Sequence, residues 1–245
     1  MASASSTSED VVGRLIISCV GDSLTFGSGV TGLKMKNSYP AVLKQQLHLR
    51  RHHIHNFGEG GMTMVKEAAN RSSYWDSIKY KEAMNSHPNI VVIMLGTNDA
   101  KPQHWNQINF RKDYIEMILG FQNLKSKPTV YICIPPPVNS FVPVYRIDPN
   151  IVNNILPNMI KEIGSFCNVE VIDNFELFGG VKLGHDDAYS VDNCHLNNHG
   201  YSMIAENVGK ILLTQTKTYM LQFENANKIE EKKLPKSLMA RKLTD

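Results

Sequence analysis

The chain has 245 residues, 42% apolar and 20% charged, which suits one α/β domain with a substantial core and excludes a disordered polymer. The formal charge of +3 comes entirely from Lys228 onward, where Lys228, Lys232, Lys233, Lys236, Arg241 and Lys242 outnumber Glu230, Glu231 and Asp245. The remaining body is formally neutral, so the balance suggests no basic groove and no nucleic-acid partner.

Residues 1–12 are Ser-rich, and the opening MASASSTSED has neither the basic start nor the apolar stretch of a signal peptide. A flexible segment of a cytoplasmic protein is expected, and no apolar run approaches the length of a membrane span. Arg14–Val20 reads as the first strand. Tyr39–Arg50 follows with Val42, Leu43 and Leu47 at helical spacing. His53–Phe57 is a short second strand and Trp75–Ser86 a helix. Ile90–Leu95 (IVVIML) is a continuous apolar run of the kind buried on both faces. Gln107–Lys125 is helical, and Thr129–Ile134 is a fourth strand stopped by Pro135, Pro136 and Pro137. Ile151–Phe166 reads as one helix bent at Pro157, Val169–Ile172 as the fifth strand and Gly200–Thr214 as the last helix.

Strand–helix alternation repeated five times implies a three-layer α/β/α domain over residues 13–218. The common five-stranded version of it, flavodoxin-like, has a parallel sheet in the order 2-1-3-4-5, and that order is expected here. Residues 219–245 form a polar, basic tail, read as a solvated segment or as a dock for a protein partner in a larger assembly. Of the four cysteines, Cys19 and Cys133 lie in strand-like runs and read as buried thiols. No two cysteines have the spacing of a metal or redox site, and a chain this long does not need disulfides.

In such a sheet, ligands bind at the carboxyl ends of the strands. Gly21-Asp22-Ser23-Leu24 follows the first strand, Asn56-Phe57-Gly58-Glu59-Gly60-Gly61-Met62-Thr63 the second, and Gly96-Thr97-Asn98-Asp99 the third. In the 2-1-3 order these three small, polar turns are neighbours. Near the C-terminus stands Asp192-Asn193-Cys194-His195. An Asp three residues before a His can hold one ring nitrogen while the other faces a nucleophile. His199 lies in a helix-entry sequence and lacks such a partner.

With these residues in view, the chain resembles the SGNH hydrolases, the GDSL esterase/lipase family, over about residues 14–215. Ser23 in GDSL, Gly61 in NFGEGGMT, Asn98 in GTND and His195 in DNCH match the four blocks in order. NFGEGGMTM, Tyr74-Trp75 and IMLGTNDAKPQHW look most like carbohydrate O-acetylesterases of the sialate or rhamnogalacturonan type. The resemblance implies a serine esterase acting on short acyl esters, acetyl foremost, on a small or carbohydrate substrate. It needs no cofactor and no metal. Ser23, Asp192 and His195 would be the catalytic triad. The Ser23 and Gly61 N–H groups and the Asn98 amide would form the oxyanion hole. Two departures stand out. Glu59-Gly60 precedes Gly61 where relatives often carry a small residue and Ser, and Asn193-Cys194 separates Asp192 from His195.

Each residue also has an ordinary reading. Ser23 and Asn98 alone would be turn residues, and His195 a surface histidine. Asp22 is a candidate substrate contact or a brace for the nucleophile loop. Trp75 and Trp105 are candidates for stacking on a sugar or for plain packing. His48, His52, His53 and His55 straddle a helix end and a strand, so their side chains should diverge rather than hold a metal. Three alternative functions stand beside the esterase: a lipase or thioesterase of the same family, a scaffold subunit, and a flavodoxin-like phosphate loop at Ser23–Gly27.

Overall fold

The apolar runs pair as parallel strands in the order β2-β1-β3-β4-β5, the order expected from the sequence. They are β1 (Ile17–Gly21), β2 (Ile54–Gly58), β3 (Ile90–Met94), β4 (Thr129–Ile134) and β5 (Glu170–Asp173). The computed structural model describes residues 15–47, 54–141, 144–180 and 188–214. The expected N-terminal segment, the basic tail and three of the clustered histidines (His48, His52 and His53) lie outside the described residues.

Helices cover both faces of the sheet. They are α1 (Ser23–Phe26), α2 (Lys34–Asn37), α3 (Tyr39–Gln46), α4 (Ile78–Asn85), α5 (Gln107–Gln122), α6 (Leu156–Cys167) and α7 (Asn174–Leu177), with α8 over 198–214. The period-2 geometry of a strand sends alternate side chains to opposite faces. Along β3, Val91 and Ile93 join one core with Phe110 and Tyr114 of α5 and Ile160 and Ile163 of α6. Ile90, Val92 and Met94 join the other, with Tyr39 and Leu43 of α3 and Tyr201, Ile204 and Val208 of α8. That two-sided burial is why IVVIML reads as continuous rather than alternating. No helix among the described residues is long and apolar enough to cross a membrane.

Two helices depart from the expected spans for local reasons. The expected helix Trp75–Ser86 is a 3₁₀ turn (Tyr74–Asp76) followed by α4. Ser77 sits between them in extended conformation, and its hydroxyl accepts from the Lys79 and Tyr80 N–H groups, so it starts a new helix rather than continuing an old one. The expected helix Ile151–Phe166 opens as a wide turn, Ile151–Ile155, and α6 begins at Leu156 with Pro157 in its first turn. Proline has no N–H to close a regular turn behind it, so the widening precedes it. From that turn the buried Asn153 accepts from Val138 N–H at 3.0 Å and donates to its carbonyl at 2.9 Å. This fixes the chain that leaves β4 after the three prolines.

Register brings the functional turns to one edge. Gly21 pairs with Gly58 on one side and with Met94 on the other, so β1, β2 and β3 end level. Gly58 has to be glycine, because a Cβ there would lie 2.1 Å from the Phe26 nitrogen of α1.

Candidate active site

The site begins where β1 runs out. Asp22 caps α1, its Oδ1 accepting from Leu24 N–H at 2.9 Å, which puts Ser23 in the first turn of a four-residue helix. Ser23 Oγ lies 3.0 Å from His195 Nε2. His195 Nδ1 lies 2.7 Å from Asp192 Oδ2. An ionised carboxylate can only accept, so Nδ1 carries the proton and Nε2 faces the serine as an acceptor.

The Asp192–His195 loop holds its own shape. Asp192 Oδ1 accepts from the Cys194 and His195 N–H groups at 3.1 and 2.6 Å. The turn passes through Asn193 at φ +67°, a conformation that asparagine tolerates better than most residues. The Asn139 amide donates to Asn193 Oδ1 at 3.0 Å and ties the loop to the chain after β4. Partial burial works against the Asp192 charge. The hydrogen bonds from the His195 ring, the His195 backbone and the Tyr145 hydroxyl outweigh it and hold the carboxyl below its ordinary value. His199, the rejected alternative, is exposed in the first turn of α8.

The opposite wall is built on buried acid groups. Asn98, 5% exposed, donates from Nδ2 to Asp22 Oδ2 at 3.3 Å. An amide nitrogen carries two hydrogens, and this bond uses one of them. Asp99 follows, fully buried, and its two oxygens accept from Met64 and Val65 N–H at 2.9 Å each. That clamp fixes the chain just after Gly61, which itself turns at φ +81°, where a side chain would be strained. Burial pushes the Asp22 carboxyl up to about 7 against the Leu24 N–H, and burial pushes Asp99 up to about 6. Glu59, one of the two departures noted above, accepts from Ser77 Oγ at 2.6 Å and so steadies the cap of α4.

Ser23, Gly61, Asn98 and His195 line one open cavity of about 270 Å³, together with Ser28, Thr97, Lys101 and Tyr145. Asp22 is not among its lining residues. It is 1% exposed, and both its oxygens are engaged by the Leu24 N–H and the Asn98 amide. Neither tryptophan lines it either. Trp75 donates to the Met64 carbonyl at 2.9 Å and packs on Tyr80, while Trp105 packs on Phe110. A groove of about 330 Å³ lies elsewhere, along β2 between Phe26, Pro40 and Lys44, without a paired serine and histidine. Sequence reasoning missed Asp99, Lys101 and Tyr145. Asp99 could have been found, since a second acid beside GTN at a strand end invites the question of what it pairs with. Tyr145 stands in no pattern.

A model of the GDSL-like lipase/acylhydrolase family matches residues 19–203. An acetylxylan esterase from Xylanibacter ruminicola is 27% identical over 208 residues, covering 78% of this chain. The chain spans 41% of that relative's length. Among solved structures, a carbohydrate acetylesterase from Sinorhizobium meliloti superposes with a TM-score of 0.66 at 18% identity, over 82% of this chain and all of that one (100%). The lipase/acylhydrolase from Enterococcus faecalis superposes with a TM-score of 0.64 at 21% identity, over 82% and 97%. These likenesses carry the fold. The family match covers most of the chain, and the chain belongs to the GDSL-like lipase/acylhydrolase family.

Proposed function

We propose, from membership of that family, that the chain hydrolyses short-chain carboxylic esters, with acetyl groups on a carbohydrate as the foremost substrate, through Ser23, His195 and Asp192. The observation that carries this is the unbroken series of contacts from Ser23 Oγ to His195 at 3.0 Å and from His195 to Asp192 at 2.7 Å. Ser23 Oγ attacks the ester carbonyl as His195 Nε2 takes its proton. Asp192 keeps the ring in the productive tautomer and stabilises its charged form. The oxyanion is received by the Ser23 and Gly61 N–H groups and the free N–H of the Asn98 amide. Collapse passes the proton from His195 to the leaving alcohol. A water then repeats the sequence on the acyl-enzyme and restores Ser23.

The acyl preference rests on two supports. The cavity of about 270 Å³ matches a small acyl group with part of an alcohol, not a long chain. The relative from Xylanibacter ruminicola is an acetylxylan esterase. Hydrolysis of aryl esters of increasing acyl length tests both. Acetate should be the best substrate, with a pre-steady-state burst, whereas a rising rate with chain length would favour a lipase. Ser23→Ala should lose the activity, and full activity in that variant would sink the mechanism.

A further inference from the structure

Tyr145 lies outside every motif that the sequence singles out, on the return from β4 to α6. Its hydroxyl donates to Asp192 Oδ2 at 2.7 Å, the oxygen that also receives His195 Nδ1. Its ring stands edge-on to the His195 ring, with centroids 5.3 Å apart and planes at 65°. It also lines the cavity at Ser23. One side chain therefore touches both members of the pair and borders the space a substrate would enter.

The backbone beneath it is held in a costly form. Tyr145 has φ +56° and Arg146 φ +59°, both in the left-handed region that bulky residues avoid. Residues held in this region persist where surrounding contacts fix them. Here Ile147 N–H closes the turn on the Val144 carbonyl at 3.0 Å, and Asp148 N–H donates to the Ala100 carbonyl at 2.9 Å. The buried Ile147 side chain anchors the turn, and Ala100 follows directly on the Gly96–Asp99 loop. A loose surface tyrosine would need none of this.

We propose that Tyr145 is a positioning residue for the Asp192–His195 pair, a second donor that fixes the carboxylate and divides its charge. This rests on the esterase reading above. Asp192 has 32% of its side chain exposed. Oδ1 is already committed to two backbone N–H groups, so the phenol joins the His195 ring in steadying Oδ2 against solvent. The hydrogen bond to Asp192 pushes the phenol up to about 12, so it stays a donor at neutral pH. With the phenol gone, the charge on Oδ2 falls to the imidazole alone, which favours the protonated ring. Other titratable groups near the pair are Cys194 on the same loop, Tyr201 on α8, Lys101 across the cavity and the buried Asp22 behind its lining. They are common to wild type and variant, so the difference between the two reports Tyr145.

The test compares Tyr145→Phe with wild type as full chains, on a short aryl acetate from about pH 5 to 9. Removing one hydrogen bond to a charged, partly exposed group should lower kcat about tenfold with KM nearly unchanged. The acidic limb should move to higher pH. Tyr145→Leu, which also removes the ring, should raise KM as well. Wild-type kcat with an unmoved limb in Tyr145→Phe would overturn the proposal, and so would a fall in kcat without any movement of the limb. The low-field proton resonance of His195 Nδ1 gives a readout that needs no turnover. It should shift in Tyr145→Phe, and an unchanged resonance overturns the proposal. An inactive wild type in which that resonance still shifts would defeat the esterase reading and leave the positioning role standing.

Discussion

The two walls of the candidate site are built in opposite ways. Ser23, Gly61 and Asn98 stand on the ends of three adjacent parallel strands, backed by two carboxylates that are 1% and 0% exposed, Asp22 and Asp99. Asp192 and His195 stand on an irregular loop that is shaped mainly by its own hydrogen bonds, with side chains 32% and 15% exposed. The first wall takes its geometry from the sheet, so a change there disturbs folding and chemistry together. The second takes its geometry from local turns, so a change there should disturb chemistry and leave the fold alone.

That contrast can be broken from either side. The largest effect belongs to His195→Ala, which removes the proposed base and should lower kcat by about 10⁶ with little change in melting temperature. Asp192→Asn should lower kcat by about 10⁴, through the wrong ring tautomer, and again melt like wild type. If either variant unfolded early, the loop would be carrying more of the fold than its exposure suggests. On the other wall, Asn98→Ala should lower kcat by about 10²–10³ as one proposed oxyanion donor is lost. Asp99→Asn should do the reverse of the loop variants. It puts an amide NH₂ against a backbone N–H in a buried clamp, and should destabilise the protein by about 2–3 kcal/mol in a denaturant melt. An Asp99→Asn protein as stable as wild type would contradict the account of that wall.

The remaining effect is a pH dependence. Burial raises the folded-state Asp22 carboxyl to about 7, above its unfolded value. The folded chain therefore binds more protons than the unfolded chain between about pH 4 and 7. Stability from this group is fully present below that window and is lost as pH rises through it. The stability difference between wild type and Asp22→Asn should fall from pH 4 to 7 and then level off, on the order of a few kcal/mol at most. A difference that stays flat across the window would mean that Asp22 is ionised throughout.

Much of this was legible in the sequence, because the fold is of a kind that writes itself locally. The central strands β3 and β4 show as unbroken apolar runs, and β1 to β4 each end in a glycine-bearing or proline turn. Gly58 is readable as glycine for a turn, though its close approach to α1 is not. Alternation gave a parallel sheet but not its order; with the order of the common five-stranded arrangement assumed, the turns at Ser23, Gly61 and Asn98 had to converge. What escaped was tertiary. Ser77 ends one turn and begins a helix within a stretch that has helical spacing throughout. Trp75 and Trp105 keep a reading as sugar platforms beside the favoured one as packing until their partners, Met64, Tyr80 and Phe110, are known. Tyr145 is separated from Asp192 by 47 positions in a stretch without pattern, and only the fold brings them together.

The central claim is that Ser23 is the nucleophile of the site. The most direct measurement is reaction of the full chain with an organophosphonate ester probe, followed by mass spectrometry of the labelled peptide. A single adduct on Ser23, formed in step with loss of acetylesterase activity and absent in His195→Ala, is the predicted result. An adduct at another residue, or an active enzyme fully labelled at Ser23, would contradict it.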